Sequence, residues 1–280
     1  MSAQQRVALV TGAAGGIGRA LVGGLLGQGL KVAAVDRTAE GLAELAEEAA
    51  QRQQGANFFT IEADLAQDES IAEIVAKARA KFGTIDILVN NAGVGQATIR
   101  VDNRERPIKF WEVTPEQWKL FVAVHNNAPM ALSRVLVHDM MRQKWGRIVN
   151  VTTSLGTMIR DGSPTYGPSK AALEAFSAIM AKDLTGSGVT VNVLVPGGMT
   201  NTGMIPMEAG YTRKDMIQPA VMVAPLNWLV SDAAAAVTGR RFLGVHWDPN
   251  LRAEEAAQKS GAPVAWTDIA TMPIEPPRRG

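Results

Sequence analysis

Cysteine is absent from the 280 residues. That excludes a disulfide framework, a thiol nucleophile and any thiolate metal site. Histidine is scarce, with only His125, His138 and His246, and no two of them are spaced to bind metal from one helix face. No metal site is therefore expected. Tyrosine occurs twice, as Tyr166 and Tyr211. No apolar run is long enough to cross a bilayer, and residues 1–6 lack the apolar stretch of a signal peptide. A cytoplasmic protein without a membrane partner is the expectation. An excess of charge of either sign is also missing: 28 basic residues face 27 acidic ones, for a net charge of +1. Nothing electrostatic points to nucleic acid or an anionic surface as partner.

What is present is apolar and regularly spaced. Hydrophobic residues make up 46% of the chain, enough for one sizeable core. Strands are expected at 7–10, 31–35, 57–62, 85–89, 147–151 and 189–195. Helices are expected at 17–28, 39–53, 70–82, 115–142 and 166–184. Such alternation specifies an α/β fold, a doubly wound parallel sheet with helices on both faces. Uninterrupted Val/Ile/Leu strands suit a sheet buried on both sides. No linker interrupts the pattern before Gly244, so 1–244 reads as one domain and 245–280 as an extension. Trp247, Pro249 and Trp266 suggest that the extension packs on its own or a neighbouring subunit, where it could close a pocket.

Between the first strand and first helix lies Thr11-Gly12-Ala13-Ala14-Gly15-Gly16-Ile17-Gly18. Glycines there let the backbone turn tightly and approach a pyrophosphate at the positive end of the helix. In this strand-to-helix context the turn means more than an ordinary loop. The second strand ends in Asp36, whose carboxylate can accept bonds from both ribose hydroxyls of adenosine and repels a 2′-phosphate. Arg37 beside it could instead hold such a phosphate. The reading favours NAD over NADP.

Three further motifs follow in order: Asn90-Asn91-Ala92-Gly93, Tyr166-Gly167-Pro168-Ser169-Lys170 and Pro196-Gly197. With the glycine turn, they make the chain resemble a classical short-chain dehydrogenase/reductase over about residues 6–244. The resemblance implies a single Rossmann-type domain with about seven parallel strands, and a homotetramer or dimer. It implies a cofactor site formed by Gly12, Gly16, Ile17, Gly18, Asp36, Pro196 and Gly197. It further implies that Asp64, followed by Leu65, bonds the adenine, and that Asn91, Ala92 and Gly93 pack by the adenosine ribose. Thr202, or alternatively Thr200, takes the place of the threonine that bonds the nicotinamide carboxamide.

The chemistry of the second motif can be argued directly. Tyr166 and Lys170 are four apart and share one helix face. A phenol with a pKa of about 10 is a poor base at neutral pH. A nearby ammonium and an oxidised nicotinamide ring both favour the phenolate, so the expected shift is downward. Tyr166 then exchanges the proton of an alcohol/carbonyl pair, and Lys170 also bonds the nicotinamide ribose. Two positions depart from the family pattern. The serine expected 13 residues before the tyrosine is Thr153, with Ser154 beside it. The expected asparagine falls on His125, or on Asn126 after a one-residue slip. A histidine there is either a neutral substitute, a locally satisfied helix residue or an added titrating group.

Two segments are left for the substrate. Residues 95–114 carry Arg100, Arg104, Arg106 and Lys109, read as a solvated loop or subunit contact and, more sharply, as recognition of an anionic or polyhydroxylated substrate. Residues 199–222 hold five of the 12 methionines and suit an adaptable lid or plain packing. The leading expectation is hydride transfer between NAD(H) and a secondary alcohol or ketone. The alternative is a catalytically weak nicotinamide-binding sensor or scaffold. Lyase or epimerase chemistry ranks behind both, because no dedicated second acid/base is visible.

Overall fold

Short aliphatic runs become strands and the amphipathic stretches between them become helices, as described for residues 5–206 and 210–269 of the computed structural model. The strands are β1 (Val7–Thr11), β2 (Lys31–Asp36), β3 (Phe58–Glu62), β4 (Ile87–Asn90), β5 (Gly146–Val151), β6 (Val189–Val195), β7 (Arg240–Leu243) and β8 (Gly261–Pro263). They form one sheet in the order β3-β2-β1-β4-β5-β6-β7-β8. Pairing is parallel from β3 through β7, and β8 joins β7 antiparallel, with Arg241 opposite Ala262. The sequence reading of about seven parallel strands holds, and the eighth is an addition. Gly-Ala-Pro has no apolar alternation to announce a strand; it pairs because the chain returns along an open sheet edge.

The helices are α1 (Gly16–Gly27), α2 (Ala39–Gln51), α3 (Ser70–Phe82), α4 (Pro115–Val122), α5 (Ala128–Arg142), α6 (Leu155–Met158), α7 (Tyr166–Asp183), α8 (Val223–Leu229) and α9 (Ala253–Ser260). All residues of β1, β5 and β6 are buried, and alternate side chains leave opposite faces of the sheet. Ala8 and Val10 meet Leu21 and Leu25 of α1 and Leu226 of α8. Val7 and Leu9 meet Ile74 of α3 and Leu132 and Leu136 of α5. Burying each such leucine is worth about 1.5–3 kcal/mol, so both layers are held by the strands they share.

The single helix expected over 115–142 is divided. Thr114 caps α4 by accepting from the Gln117 amide at 3.2 Å, while its own amide donates to Gln117 Oε1 at 3.0 Å. Residues Ala123–Asn127 then form a π-helical turn before α5 begins. Such turns insert an extra residue and often mark functional positions. Here the turn carries His125 and Asn126, both bonded inward. After Gly244 the chain stays with the same sheet: Trp247 packs on Trp228 at 5.6 Å in the core, and α9 leads to β8.

Candidate active site

Strand order reverses between β1 and β4, and in open α/β sheets the crevice at such a point is where ligands bind. A cleft of about 860 Å³ lies there. At one end it is built of backbone. Gly12 has φ +62°, and a Cβ on it would lie 2.7 Å from the Ala92 Cα. A Cβ on Gly18 would lie 2.0 Å from the Gly12 carbonyl oxygen. Only glycine permits that closeness of turn, helix and the 91–93 loop. Asn91 fastens the loop to the turn, donating from Nδ2 to the carbonyls of Thr11 at 2.9 Å and Gly12 at 3.0 Å. The turn opens α1, whose first amides lack intrahelical partners and favour an anion. These features fit the pyrophosphate of a dinucleotide.

Asp36 ends β2 at this end of the cleft. Its Oδ2 accepts from the Ala14 amide at 3.0 Å, and its Oδ1 accepts from the Thr38 amide at 3.1 Å and hydroxyl at 2.7 Å. The carboxylate is thus fixed beside the glycine turn. Arg37 lines the same region. Gly12, Gly16, Ile17, Gly18, Asn91, Ala92, Gly93, Pro196, Gly197, Thr200 and Thr202 all line the cleft. Asp64 and Leu65 stand outside this lining; Asp64 Oδ1 accepts from the Ala66 amide at 2.9 Å.

The other end is built of buried side chains. Thr153, Tyr166 and Lys170 line it together. Strand β5 stops at Val151, so Thr153 sits on a loop rather than in a strand. Tyr166 opens α7, and Lys170 one turn later reaches inward, donating from Nζ to the Val151 carbonyl at 2.9 Å. Burial lowers the Lys170 pKa to about 8. Tyr166 behaves differently from the sequence expectation. In the protein alone its pKa is raised, because burial penalises the phenolate more than its neighbours stabilise it. A hydrogen bond with Thr153 and the charge of Arg160 act in the opposite sense. The downward shift expected from the sequence counts an oxidised nicotinamide ring beside the ammonium; without that ring the desolvation of the phenol dominates.

His125 and Asn126 lie outside the cleft lining. His125 is fully buried behind Gly93. Its Nε2 accepts from the Val94 amide at 2.9 Å, so the ring proton of the neutral imidazole is on Nδ1. That proton is donated to Ser169 Oγ at 2.7 Å, and Ser169 Oγ donates to the Tyr166 carbonyl at 3.0 Å. Asn126 Nδ2 donates to the Ser169 carbonyl at 2.8 Å. Burial, and then the charge of Lys170, hold the imidazole pKa well below its usual value. Both residues therefore clasp the start of α7, and His125 is a neutral ring with both nitrogens engaged.

A buried ion pair, not expected from the sequence, lies behind this end. Glu174 of α7 accepts from Arg241 Nε at 2.8 Å, from the Thr152 hydroxyl at 2.6 Å and from the Ala265 amide at 3.1 Å. Arg241 Nη2 donates to the Thr153 carbonyl at 3.0 Å. Glu174 lies one turn beyond Lys170 on the same face, and a charge amid the apolar residues of α7 was the available signal.

The two segments assigned to the substrate are sorted by the fold. Of the four basic residues in 95–114, only Arg104 lines the cleft; Arg100 pairs with Glu112 and Arg106 with Asp102. Arg160, not singled out in the sequence, lines it too. Met199 and Met204 line the cleft, Met216 and Met222 are buried, and Met207 lies outside the described residues. No residue between 245 and 269 lines it, so the described part of the extension does not close the pocket. Among the described residues no His/Asp/Glu cluster could hold a metal ion, and no helix is long and apolar enough to cross a membrane.

Known proteins share this plan. A family model described as short chain dehydrogenase matches residues 6–209. The 3-oxoacyl-(acyl-carrier-protein) reductase FabG of Escherichia coli is 30% identical over 247 residues, covering 85% of this chain and 95% of that protein. The reductase of the same name from Salmonella typhimurium is 31% identical with the same coverage. Nodulation protein G of a Rhizobium species is 31% identical over 245 residues, covering 84% of this chain and 93% of that protein. The chain belongs to the short-chain dehydrogenase family of nicotinamide-dependent oxidoreductases.

Proposed function

We propose that this protein interconverts a secondary alcohol and its ketone with NAD(H), using Tyr166 as the proton-transfer group. The observation carrying this reading is the convergence of Thr153, Tyr166 and Lys170 at one end of a cleft whose other end is the glycine turn. A nicotinamide cofactor bound along the cleft supplies or accepts the hydride. The hydroxyls of Tyr166 and Thr153 hold the substrate oxygen. In reduction, Tyr166 Oη gives its proton to that oxygen as the alcohol forms; in oxidation it takes the proton back. A raised phenol pKa keeps Tyr166 protonated at neutral pH, which suits donation. Lys170, largely charged below its pKa of about 8, would hold the nicotinamide ribose and favour the phenolate in the oxidative direction. His125 and Asn126 would position α7 rather than exchange protons. General acid–base groups of this kind contribute about 10²–10⁴-fold in rate. Tyr166→Phe should lower kcat by that factor while cofactor affinity, read by titration calorimetry, persists. Near-normal turnover in this variant would sink the proposal.

The NAD preference rests on Asp36, whose carboxylate is held beside the glycine turn by the Ala14 amide and the Thr38 hydroxyl and would repel a 2′-phosphate bound there. Arg37 supports a second reading, in which NADP is used, since it lines the cleft without an ion-pair partner among the described residues. The ratio of kcat/KM for NADH and NADPH separates the two. The names of the relatives add a 3-oxoacyl thioester to the substrates worth assaying. A homotetramer or dimer belongs to the same reading, and the exposed Trp118, Met130 and Ile179 offer apolar contact surface for it; light scattering on the purified protein measures the mass directly.

A further inference from the structure

The charge of the cleft is lopsided in a chain that is almost neutral. Its described lining holds four cationic side chains, Arg37, Arg104, Arg160 and Lys170, against the single carboxylate of Asp36. Asp36 and Arg37 belong to the glycine-turn end, and Lys170 is engaged with the Val151 carbonyl. Arg104 and Arg160 are at the Tyr166 end. Arg160 favours the ionised form of Tyr166, and burial first and then the charge of Arg160 disfavour the charge of Arg104. Neither arginine forms an ion pair among the described residues, although Arg100 and Arg106 on the loop that carries Arg104 are both paired.

The loops that carry the two arginines are held against each other. Gln96 Nε2 donates to the Gly162 carbonyl, joining the two loops. Gly162 is packed so tightly that a Cβ would lie 2.6 Å from Pro107 Cβ. Asn103 Nδ2 braces the turn beside Arg104 by donating to the Arg100 carbonyl at 2.9 Å. The Arg104 guanidinium lies over the Tyr211 ring, 5.9 Å from its centroid. Two like charges braced together beside a reaction centre repel each other until an anion lies between them. Guanidinium groups match carboxylate and phosphate oxygens in pairs.

We propose that Arg104 and Arg160 form an oxyanion-binding site, and that the substrate is an oxo or hydroxy compound carrying a carboxylate or phosphate a few atoms from the reacting carbon. This rests on the oxidoreductase reading above. The site lies across the cleft's Tyr166 end and is distinct from the pyrophosphate cradle at the glycine turn.

The test compares acids with their uncharged counterparts. Acetoacetate is paired with methyl acetoacetate, and dihydroxyacetone phosphate with dihydroxyacetone, each with the reduced cofactor and the full-length protein. The wild type should favour one charged member by at least about tenfold in kcat/KM, and the pair showing that preference identifies carboxylate or phosphate. Arg104→Gln and Arg160→Gln should each reduce the acid-to-neutral ratio by about 10-fold or more, with the thermal midpoint and NADH affinity confirming a folded protein. Equal kcat/KM for charged and neutral members, or an unchanged ratio in both variants, overturns the site. Binding of the same compounds to Tyr166→Phe, read by calorimetry, separates the two readings. Arginine-dependent, anion-selective binding without wild-type turnover would uphold the site and refute the proposed reaction. Turnover of neutral ketones with no anion preference would do the reverse.

Discussion

The two ends of the cleft are made of different material. The glycine-turn end is mostly backbone: four glycines, the amides that open α1, and an asparagine whose side chain fastens carbonyls, with Asp36 and Arg37 at its edge. The Tyr166 end is a set of buried polar side chains, with Lys170, Glu174, His125 and Arg241 all withdrawn from water. Backbone amides carry fixed dipoles at no desolvation cost beyond folding itself. Buried ionisable groups stay charged only when partnered, and otherwise change protonation. The first end should therefore tolerate pH and resist only changes of shape. The second should respond strongly to charge.

The largest effect is expected at the Glu174–Arg241 pair. Glu174→Gln leaves Arg241 buried without its countercharge and should cost about 3–5 kcal/mol in unfolding free energy. Because Arg241 also holds the Thr153 carbonyl, kcat should fall in whatever protein remains folded. Denaturant unfolding of Glu174→Gln beside Glu174→Met/Arg241→Met checks this, since the double variant should recover part of the loss. If the single variant is as stable as the wild type, the Tyr166 end does not depend on its charges in the way described.

Lys170 predicts an opposite sign. Its pKa falls from 10.5 to about 8 on folding, so the unfolded chain binds the proton more tightly. The penalty is complete below pH 8, fades as pH rises from 8 to 10.5, and is absent above. At about 1.4 kcal/mol per unit it amounts to roughly 3 kcal/mol. Lys170→Met should therefore abolish turnover yet unfold at higher denaturant than the wild type at pH 7, with the gap narrowing toward pH 10. A variant less stable than wild type at pH 7 would contradict burial as the dominant cause.

His125 comes next. Its pKa is depressed by burial, so the unfolded state takes up a proton that the native ring refuses as pH falls through about 6.5. Wild-type stability should decline on that acid side. His125→Ala should remove this slope, and should cost about 1–3 kcal/mol at pH 8 by stranding the Val94 amide and the Ser169 hydroxyl. The smallest change belongs to the backbone-built end. Asp36→Ala should relax nucleotide choice by about tenfold toward NADPH, near 1.4 kcal/mol, with little effect on the pH profile. A wild type that already prefers NADPH would place the decision with Arg37.

How much of this could be read in advance follows the same division. The glycine turn, Asp36 and the Tyr166/Lys170 spacing are local: each lies within a few residues, and each meaning depends on one strand or one helix. They were legible for that reason. Nothing near Arg160 in the sequence says that it will line the same cleft as Arg104. Glu174 and Arg241 are 67 residues apart, and the amide that completes their site belongs to Ala265. Asp64 shows the reverse limit, since it carries the expected residue type but lies outside the lining of the cleft.

By itself the sequence determined the alternation of strands and helices, the glycine turn that opens α1 and the placing of Tyr166 and Lys170 one helical turn apart, because periodicity and short spacings act through local geometry. Tertiary structure decided the rest. It turned one expected helix into α4, a π turn and α5, and it fixed His125 in a neutral tautomer. It raised the pKa of Tyr166 in the protein alone and left Arg104 and Arg160 lining the Tyr166 end of the cleft without an ion-pair partner among the described residues. All of these depend on which distant groups exclude water from one another, and desolvation is a property of the packed chain.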